Sequence, residues 1–399
     1  ENLPAKFRIS LTHVLALLLI YYPLSPEFGI FSGVNASQPK IADYILLPLL
    51  SLFAAKQMFR ARIRASFIWW SFATAALALL FLAQLFFVTT YLTGTPSEFY
   101  LFRYIQYSFY WLIFSQALRE FEMARYFKHV FAVCIFENLA FLLNFIFIDD
   151  PLNNNIIGTF RGSFDAGAFF VLAYCFVYKF EREMADLHGK TFVYAFYASI
   201  ACNLLFCSSR TAWMILPLLL VVRAKSIKGI LALGMAGATF LVCYSMELLP
   251  TKIMKIASLL INWGSAENTT MVMDASLRMR WENFENFRTF VATQYQAVFY
   301  VIGTGPGYFR NFVSLYGMPG TFDNYYLRVF SEYGLIGSFF MLWILVRLFR
   351  FSWSTGVAFA VLCLTCDLVV TSKVTPLIAL ITVSSSFCKK RFDGRENEQ

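Results

Sequence analysis

The sequence predicts an all-α protein that crosses a membrane many times, and three observations carry that prediction. Hydrophobic residues make up 59% of the 399-residue chain and charged residues only 14%, where soluble domains carry about 25% charge. Apolar segments approaching the roughly 20 residues that span a bilayer recur along the whole chain. The linkers between them alternate between basic and Gly-, Asn-, Ser- and Pro-rich character. The 46 Phe and 21 Tyr suit lipid-facing and interfacial surfaces. A net charge of +9 would point to nucleic acid only if gathered into one patch. Here the basic residues are spread between apolar segments, and no nucleic-acid partner is expected.

About 12 transmembrane helices are expected. The first, 9–24, can act as its own insertion signal. The polar linker 25–40 leads to 41–55, and the basic run Lys56, Arg60, Arg62 and Arg64 leads to 67–92. After 93–99 comes 100–118, then Arg119, Arg125 and Lys128 before 129–148. The Asn-rich stretch 149–163 precedes 164–180, and Lys179, Arg182 and Lys190 separate it from 191–207. A tight connection, Ser208-Ser209, introduces the short span 211–222, and Arg223, Lys225 and Lys228 introduce 229–249. The mostly polar residues 250–322 then break the pattern. Spans at 324–346, 354–371 and 375–388 come after it, with Arg347 and Arg350 after the first and Lys389, Lys390, Arg391 and Arg395 at the end.

Positive charge accumulates on the cytoplasmic side of membrane proteins, which places every basic linker, and both termini, in the cytoplasm. The polar linkers fall on the opposite face. The chain then divides into residues 1–249 with nine spans, a large outer loop at 250–323, and residues 324–399 with three spans and a tail.

The outer face excludes several chemistries. His13, His129 and His188 all fall at inner ends of spans or in inner linkers, which argues against an outer zinc site, a Ser-His-Asp triad or a histidine base. No metal and no cofactor is expected. Five of the eight cysteines (Cys134, Cys175, Cys202, Cys243 and Cys363) lie in apolar runs and read as small core residues. Gly303-Thr-Gly305-Pro-Gly307 lacks the Lys-Ser/Thr and preceding strand of a phosphate loop. It reads as a turn before a re-entrant or interfacial helix.

Arginine is what the outer face does carry. Arg161 lies in Gly158-Thr-Phe-Arg-Gly-Ser-Phe-Asp165 and Arg210 in Cys207-Ser-Ser-Arg-Thr-Ala-Trp213. Arg278 and Arg280 lie in Ser276-Leu-Arg-Met-Arg-Trp281, with Arg288 and Arg310 further along the loop. Each could be a snorkelling anchor or a local ion pair, such as Arg161 with Asp165 or Asp149. Arg210 has no acidic neighbour in its short connection. Arginine's planar fork binds phosphate oxygens in pairs and keeps its charge, so several at one membrane face could hold a diphosphate and stabilise it as a leaving group. Arg278 and Arg280 sit on different faces of a helix, and only one is expected to point at such a site. Trp281, Phe284 and Phe287 give that helix an apolar stripe expected to lie on the bilayer surface.

Asp323 opens the tenth span. Two compatible readings stand: an N-cap for the helix, or a carboxylate that takes a proton from an attacking sugar hydroxyl. Deeper in the same helix Arg328 and Glu332 are spaced to pair. Glu137 and Asp367 lie within spans, where ionisable groups are functional candidates by default; holding helix to helix is the favoured job for both.

Taken in order, these pieces resemble the O-antigen ligase/polymerase superfamily of lipid-linked glycan transferases. The matching pieces are Arg161-Gly-Ser-Phe, Ser209-Arg210-Thr-Ala, the outer Ser276-Leu-Arg278-x-Arg280-Trp, and Gly303-x-Gly305-x-Gly307-Tyr-Phe followed by Asp323-Asn-Tyr-Tyr-Leu and Glu332-Tyr-Gly-Leu-Ile-Gly337. The resemblance covers roughly residues 150–340. It implies a GT-C-like fold, metal-independent chemistry at the periplasmic face of a bacterial inner membrane, and undecaprenyl-diphosphate glycans as donors. It gives Arg161, Arg210 and one of Arg278 and Arg280 to the diphosphate, with Arg288, Asn324 and Tyr325 as further substrate contacts and Asp323 as catalytic residue. Ligases of the superfamily usually carry His-Asn where this chain has Asp323-Asn324; the Asp-Asn-Tyr form resembles the Wzy-type polymerase branch. A polymerase is therefore the leading expectation, a ligase acting on lipid A-core its nearest rival, and a non-enzymatic lipid-linked oligosaccharide carrier the rival from another class. A flippase and a chain-length regulator are the partners such a pathway implies.

Overall fold

The computed structural model describes residues 10–25, 41–59, 65–92, 98–120, 123–147, 163–207, 275–308, 324–365 and 373–396, with Pro96, Thr159, Phe160, Ser209 and scattered positions between 211 and 246. Side chains are described over most of these, but not over 275–281 or 386–396. The described elements are helices, with no strand among them. They are labelled here along the chain: α1 (Leu11–Tyr21, running into a 3-10 turn, Tyr22–Leu24), α2 (Ile41–Met58), α3 (Ala65–Tyr91), α4 (Glu98–Glu120), α5 (Ala124–Phe147), α6 (Ser163–His188) and α7 (Lys190–Cys207). After the gap come α8 (Ala275–Gln294), α9 (Ala297–Ile302), α10 (Tyr325–Phe351), α11 (Trp353–Thr365) and α12 (Thr375–Glu396).

Ten of the expected spans coincide with helices α1 to α7 and α10 to α12; half the residues of 211–222 are described, all of them helical, and 229–249 falls mostly outside the described residues. Among the described residues three helices, α3, α5 and α10, are long and apolar enough to cross a membrane. The fold class is thus all-α with membrane-spanning helices. Local chemistry sets the ends. Ser10 caps α1 by accepting the His13 N–H at 3.1 Å, relieving one of the donors that a helix start leaves unpaired.

Two helices each carry a stretch that is apolar on every side and sits centrally, as the absence of a polar face there requires. In α6 the run Ala168–Val177 is buried throughout, and in α12 so is Leu377–Ile381. Around them α6 packs along α7, α10 along α11, and α12 against α4 and α10. The periphery is different. Trp69, Phe72, Leu79, Leu82 and Phe86 of α3 are exposed, an apolar surface too extensive for water and suited to lipid.

A second, smaller core holds helices α8 and α9. Phe287 and Phe290 of α8, Tyr295, Phe299 of α9 and Tyr308 cluster on Val88 near the end of α3. This revises the expected placement of the α8 stripe. Phe284 is exposed, but Phe287 is buried against protein, because the apolar pattern continues through Phe290 to meet α3.

Helix α10 is broken near its middle. Gly334 has φ 59° and ψ −148°, far from helical values. A break of this kind frees the carbonyls of the preceding turn from their helical partners. Here the freed carbonyls are those of Ser331 and Glu332, and both accept backbone N–H groups from the Gly303–Gly307 turn.

Candidate functional site

Arg161, Arg210 and Asp323 lie outside the described residues, as does Asp367. Arg278 and Arg280 fall in the first turns of α8, with their side chains outside the description. Arg288 is on the same helix, its side chain 72% exposed and paired with Glu285 at 2.9 Å. Asn324 and Tyr325 begin α10.

The cap of α10 is Asn324. Its Oδ1 accepts the Leu327 N–H at 3.1 Å, and its Nδ2 donates to the Leu364 carbonyl at the end of α11 at 3.2 Å. The expected cap, Asp323, is corrected by one position. The physical reason is reach: a capping side chain bonds the N–H two or three residues on, and helical geometry here begins at Tyr325. Tyr325 packs half-buried against the main core.

The Gly303–Gly307 turn docks onto the break in α10. Thr304 N–H donates to the Ser331 carbonyl at 2.8 Å, and Gly305 N–H to the Glu332 carbonyl at 2.9 Å. Thr304 Oγ1 also donates to Ser331 O at 3.0 Å. From α3, Gln84 Nε2 donates to the Glu332 carbonyl at 2.9 Å and to the Ile302 carbonyl. The Glu332 carboxylate completes the latch. Its Oε1 accepts Gly307 N–H at 2.9 Å and Arg328 Nε at 2.8 Å, and its Oε2 accepts the Tyr104 hydroxyl at 2.9 Å. The expected Arg328–Glu332 pair is present and buried. Tyr295 joins from the side, donating to Phe299 O at 2.9 Å and lying 3.3 Å from Ser331 O. Burial pushes its hydroxyl well above the usual tyrosine range.

The latch is one end of a polar belt across the bundle. Beside Tyr104 on α4, Arg103 pairs with Asp43 of α2 at 2.9 Å. Asp43 Oδ1 accepts the Tyr22 hydroxyl and the Gln106 amide, each at 2.7 Å. Beside Tyr22, the Pro23 carbonyl accepts the Thr159 hydroxyl at 2.8 Å, and Thr159 in turn bonds Glu137 and Lys373. Three buried acids, Glu332, Asp43 and Glu137, thus face three buried cations, Arg328, Arg103 and Lys373. The groups of the belt lie from Thr159 and Phe160 to the break in α10 and the Gly303–Gly307 turn.

Comparison with family models, curated proteins and solved structures gave no match. Among the described residues, no three His, Cys, Asp or Glu side chains are grouped so as to hold a metal ion. Arg328 and Arg103 are committed to Glu332 and Asp43, so as placed they hold the scaffold together and offer an incoming anion little.

Sequence reasoning alone misses Asp43, Arg103, Gln84, Tyr104 and Lys373. One signal could have found the first two. An acid and a base each stand alone inside an apolar span, and such groups are retained only when paired.

Proposed function

We propose that the protein is a surface-polysaccharide (O-antigen type) polymerase of a bacterial inner membrane, with about twelve spans, a GT-C-like architecture, cytoplasmic termini and a periplasmic site. It transfers a growing glycan from undecaprenyl diphosphate to the non-reducing end of a lipid-linked repeat unit. The observation that carries this reading is the sequence order of outer arginines ending in Asp323-Asn324-Tyr325. The docking of the Gly303–Gly307 turn on α10 supports it, because it ties the segment after the arginine-bearing α8 to the helix after Asp323.

In the proposed step the acceptor hydroxyl attacks the anomeric carbon of the donor glycan as the bond from that carbon to the diphosphate oxygen breaks. Asp323 takes the hydroxyl proton. The bonding electrons leave with undecaprenyl diphosphate, whose charge Arg161, Arg210 and one of Arg278 and Arg280 stabilise. Arg288, at the exposed side of α8, and Asn324 and Tyr325, at the mouth of α10, would border the glycan. A flippase supplying repeats and a chain-length regulator are the expected partners.

The test is deletion of the gene and examination of the surface glycan. Core carrying a single repeat unit is the expected result. Full-length glycan left on its lipid carrier would make the protein a ligase, and unchanged glycan would overturn both readings.

A further inference from the structure

Thr159 stands two residues before Arg161, and the structure holds it by every polar group it has. Its N–H donates to Glu137 Oε2 at 3.0 Å. Its hydroxyl lies against Glu137 Oε1 and 2.8 Å from the Pro23 carbonyl. Its carbonyl accepts from Lys373 Nζ. The Lys373 ammonium also sits 5.5 Å from the centre of the Phe160 ring, a distance at which a cation is attracted to the ring face. Phe160 packs in turn on Phe169 and Phe170 of α6, with ring centres 5.4 and 5.8 Å away. The two residues are gripped by the turn after α1, by α5, by α6 and by the residue that leads into α12.

Holding a chain in place does not require charge. Apolar residues of similar size usually stabilise a buried site as well as an ion pair does, because removing the charges from water costs so much. Lys373 is 2% exposed and Glu137 fully buried, and Lys373 lies within electrostatic reach of the Glu137 carboxylate. What charged, bonded partners supply and a greasy contact does not is direction. The N–H and carbonyl of Thr159 are fixed at once, so the peptide plane that leads from Thr159 into Phe160 is fixed too.

We infer that Glu137 and Lys373 are positioning residues that orient the backbone entering Arg161 for contact with a lipid-linked diphosphate. The inference rests on the polymerase reading for the identity of the ligand, and on the hydrogen bonds alone for the clamp.

The experiment uses the full chain in nanodiscs with undecaprenyl diphosphate as the probe. Lys373→Met, Glu137→Gln and Thr159→Val are each expected to weaken its binding about 10- to 100-fold, the loss typical when the partner supporting a ligand-binding group is removed. Lys373→Arg and Thr159→Ser, which keep the donor or the hydroxyl, should restore it. The double variant Glu137→Gln/Lys373→Met removes both charges together, so it should melt near the parent temperature while still binding weakly. A second readout does not depend on the ligand. Arg161→Cys is labelled with a membrane-impermeant maleimide, and the labelling rate should change when Lys373→Met is added. If folded clamp variants bind the probe and label as the parent does, the inference is overturned. If the parent itself fails to bind undecaprenyl diphosphate, the polymerase reading fails, and the labelling rate alone decides whether the clamp orients this segment.

Discussion

Glu332 accepts the backbone N–H of Gly307 at 2.9 Å, and that bond turns a broken helix into a dock. The same carboxylate holds Arg328 within its own helix and Tyr104 of α4. One side chain therefore joins the Gly303–Gly307 turn, the N-terminal half of α10 and the polar belt. Removing it should cost more than a surface ion pair would. Glu332→Ala leaves Arg328 buried without this counter-charge, a loss of about 3–5 kcal/mol. Glu332→Gln keeps an acceptor and should lose less. Thermal unfolding of the solubilised chain, with limited proteolysis after α8, measures both; an Ala variant as stable as the parent would show that the latch contributes nothing.

Two glycines make the dock possible, and a third serves as their control. Gly303 has φ 73° and ψ 178°, a region open essentially to glycine alone. A Cβ there would run into the backbone of Glu332 and Tyr333, and one on Gly334 would come within 2.6 Å of the Val301 backbone. Gly189, between α6 and α7, also has positive φ but meets nothing within 4 Å. Gly189→Ala should therefore cost only conformational strain, about 1 kcal/mol. Gly303→Ala and Gly334→Ala should each exceed it clearly and, under the proposed function, abolish polymer in a complementation assay. Equal effects at all three positions would mean that the close approach is not needed.

The range of each interaction decides how much of this is legible in the sequence. Span positions come from local hydropathy, and helices fall where the apolar runs are. The Arg328–Glu332 pair is legible because its partners are one helical turn apart. The cap moves one residue, from Asp323 to Asn324, because either side chain satisfies the same rule and the backbone decides. The Phe287 face reads as lipid-facing in sequence because periodicity names an apolar stripe without naming what covers it. Asp43 with Arg103, and Lys373 with Thr159, come from remote segments, and nothing local in either stretch announces the other.

The Asp43–Arg103 pair offers a test of what a buried charge is worth. Arg103→Met alone strands a carboxylate that still has Tyr22 and Gln106 as donors. Asp43→Asn alone takes the carboxylate from a guanidinium that still bonds Gln106 Oε1. The double variant removes both charges and should recover most of the stability lost by either single change. Melting temperatures in detergent give the cycle, and additive losses would argue that the two residues act separately.

Tyr295 should contribute an alkaline pH dependence to the dock. Its folded-state pKa is raised by burial above an unfolded value of about 10. Its stabilising contribution is therefore complete below about pH 10 and declines as pH rises from there towards the folded value. Tyr295→Phe should remove that alkaline decline while costing about 1 kcal/mol at neutral pH for the lost hydrogen bond. Unfolding measured from about pH 8 to about pH 12, on either side of the unfolded tyrosine value, would show it. An identical decline in the variant would assign the effect elsewhere.

The Asn324 cap makes Asp323 a cleaner test of chemistry than the sequence suggested. Asn324→Ala loses the bond to Leu327 and the bond to Leu364, and should cost at least the roughly 1 kcal/mol typical of a lost N-cap. Asp323→Asn leaves both bonds in place and removes only the proton acceptor. Under the proposed reaction it should melt with the parent and make no polymer, whereas Asn324→Ala should melt lower and keep some activity. Asp323→Asn with full activity would remove Asp323 from the proton transfer while leaving the arginine-held diphosphate to be tested separately through Arg210→Ala and the paired Arg278→Ala/Arg280→Ala change.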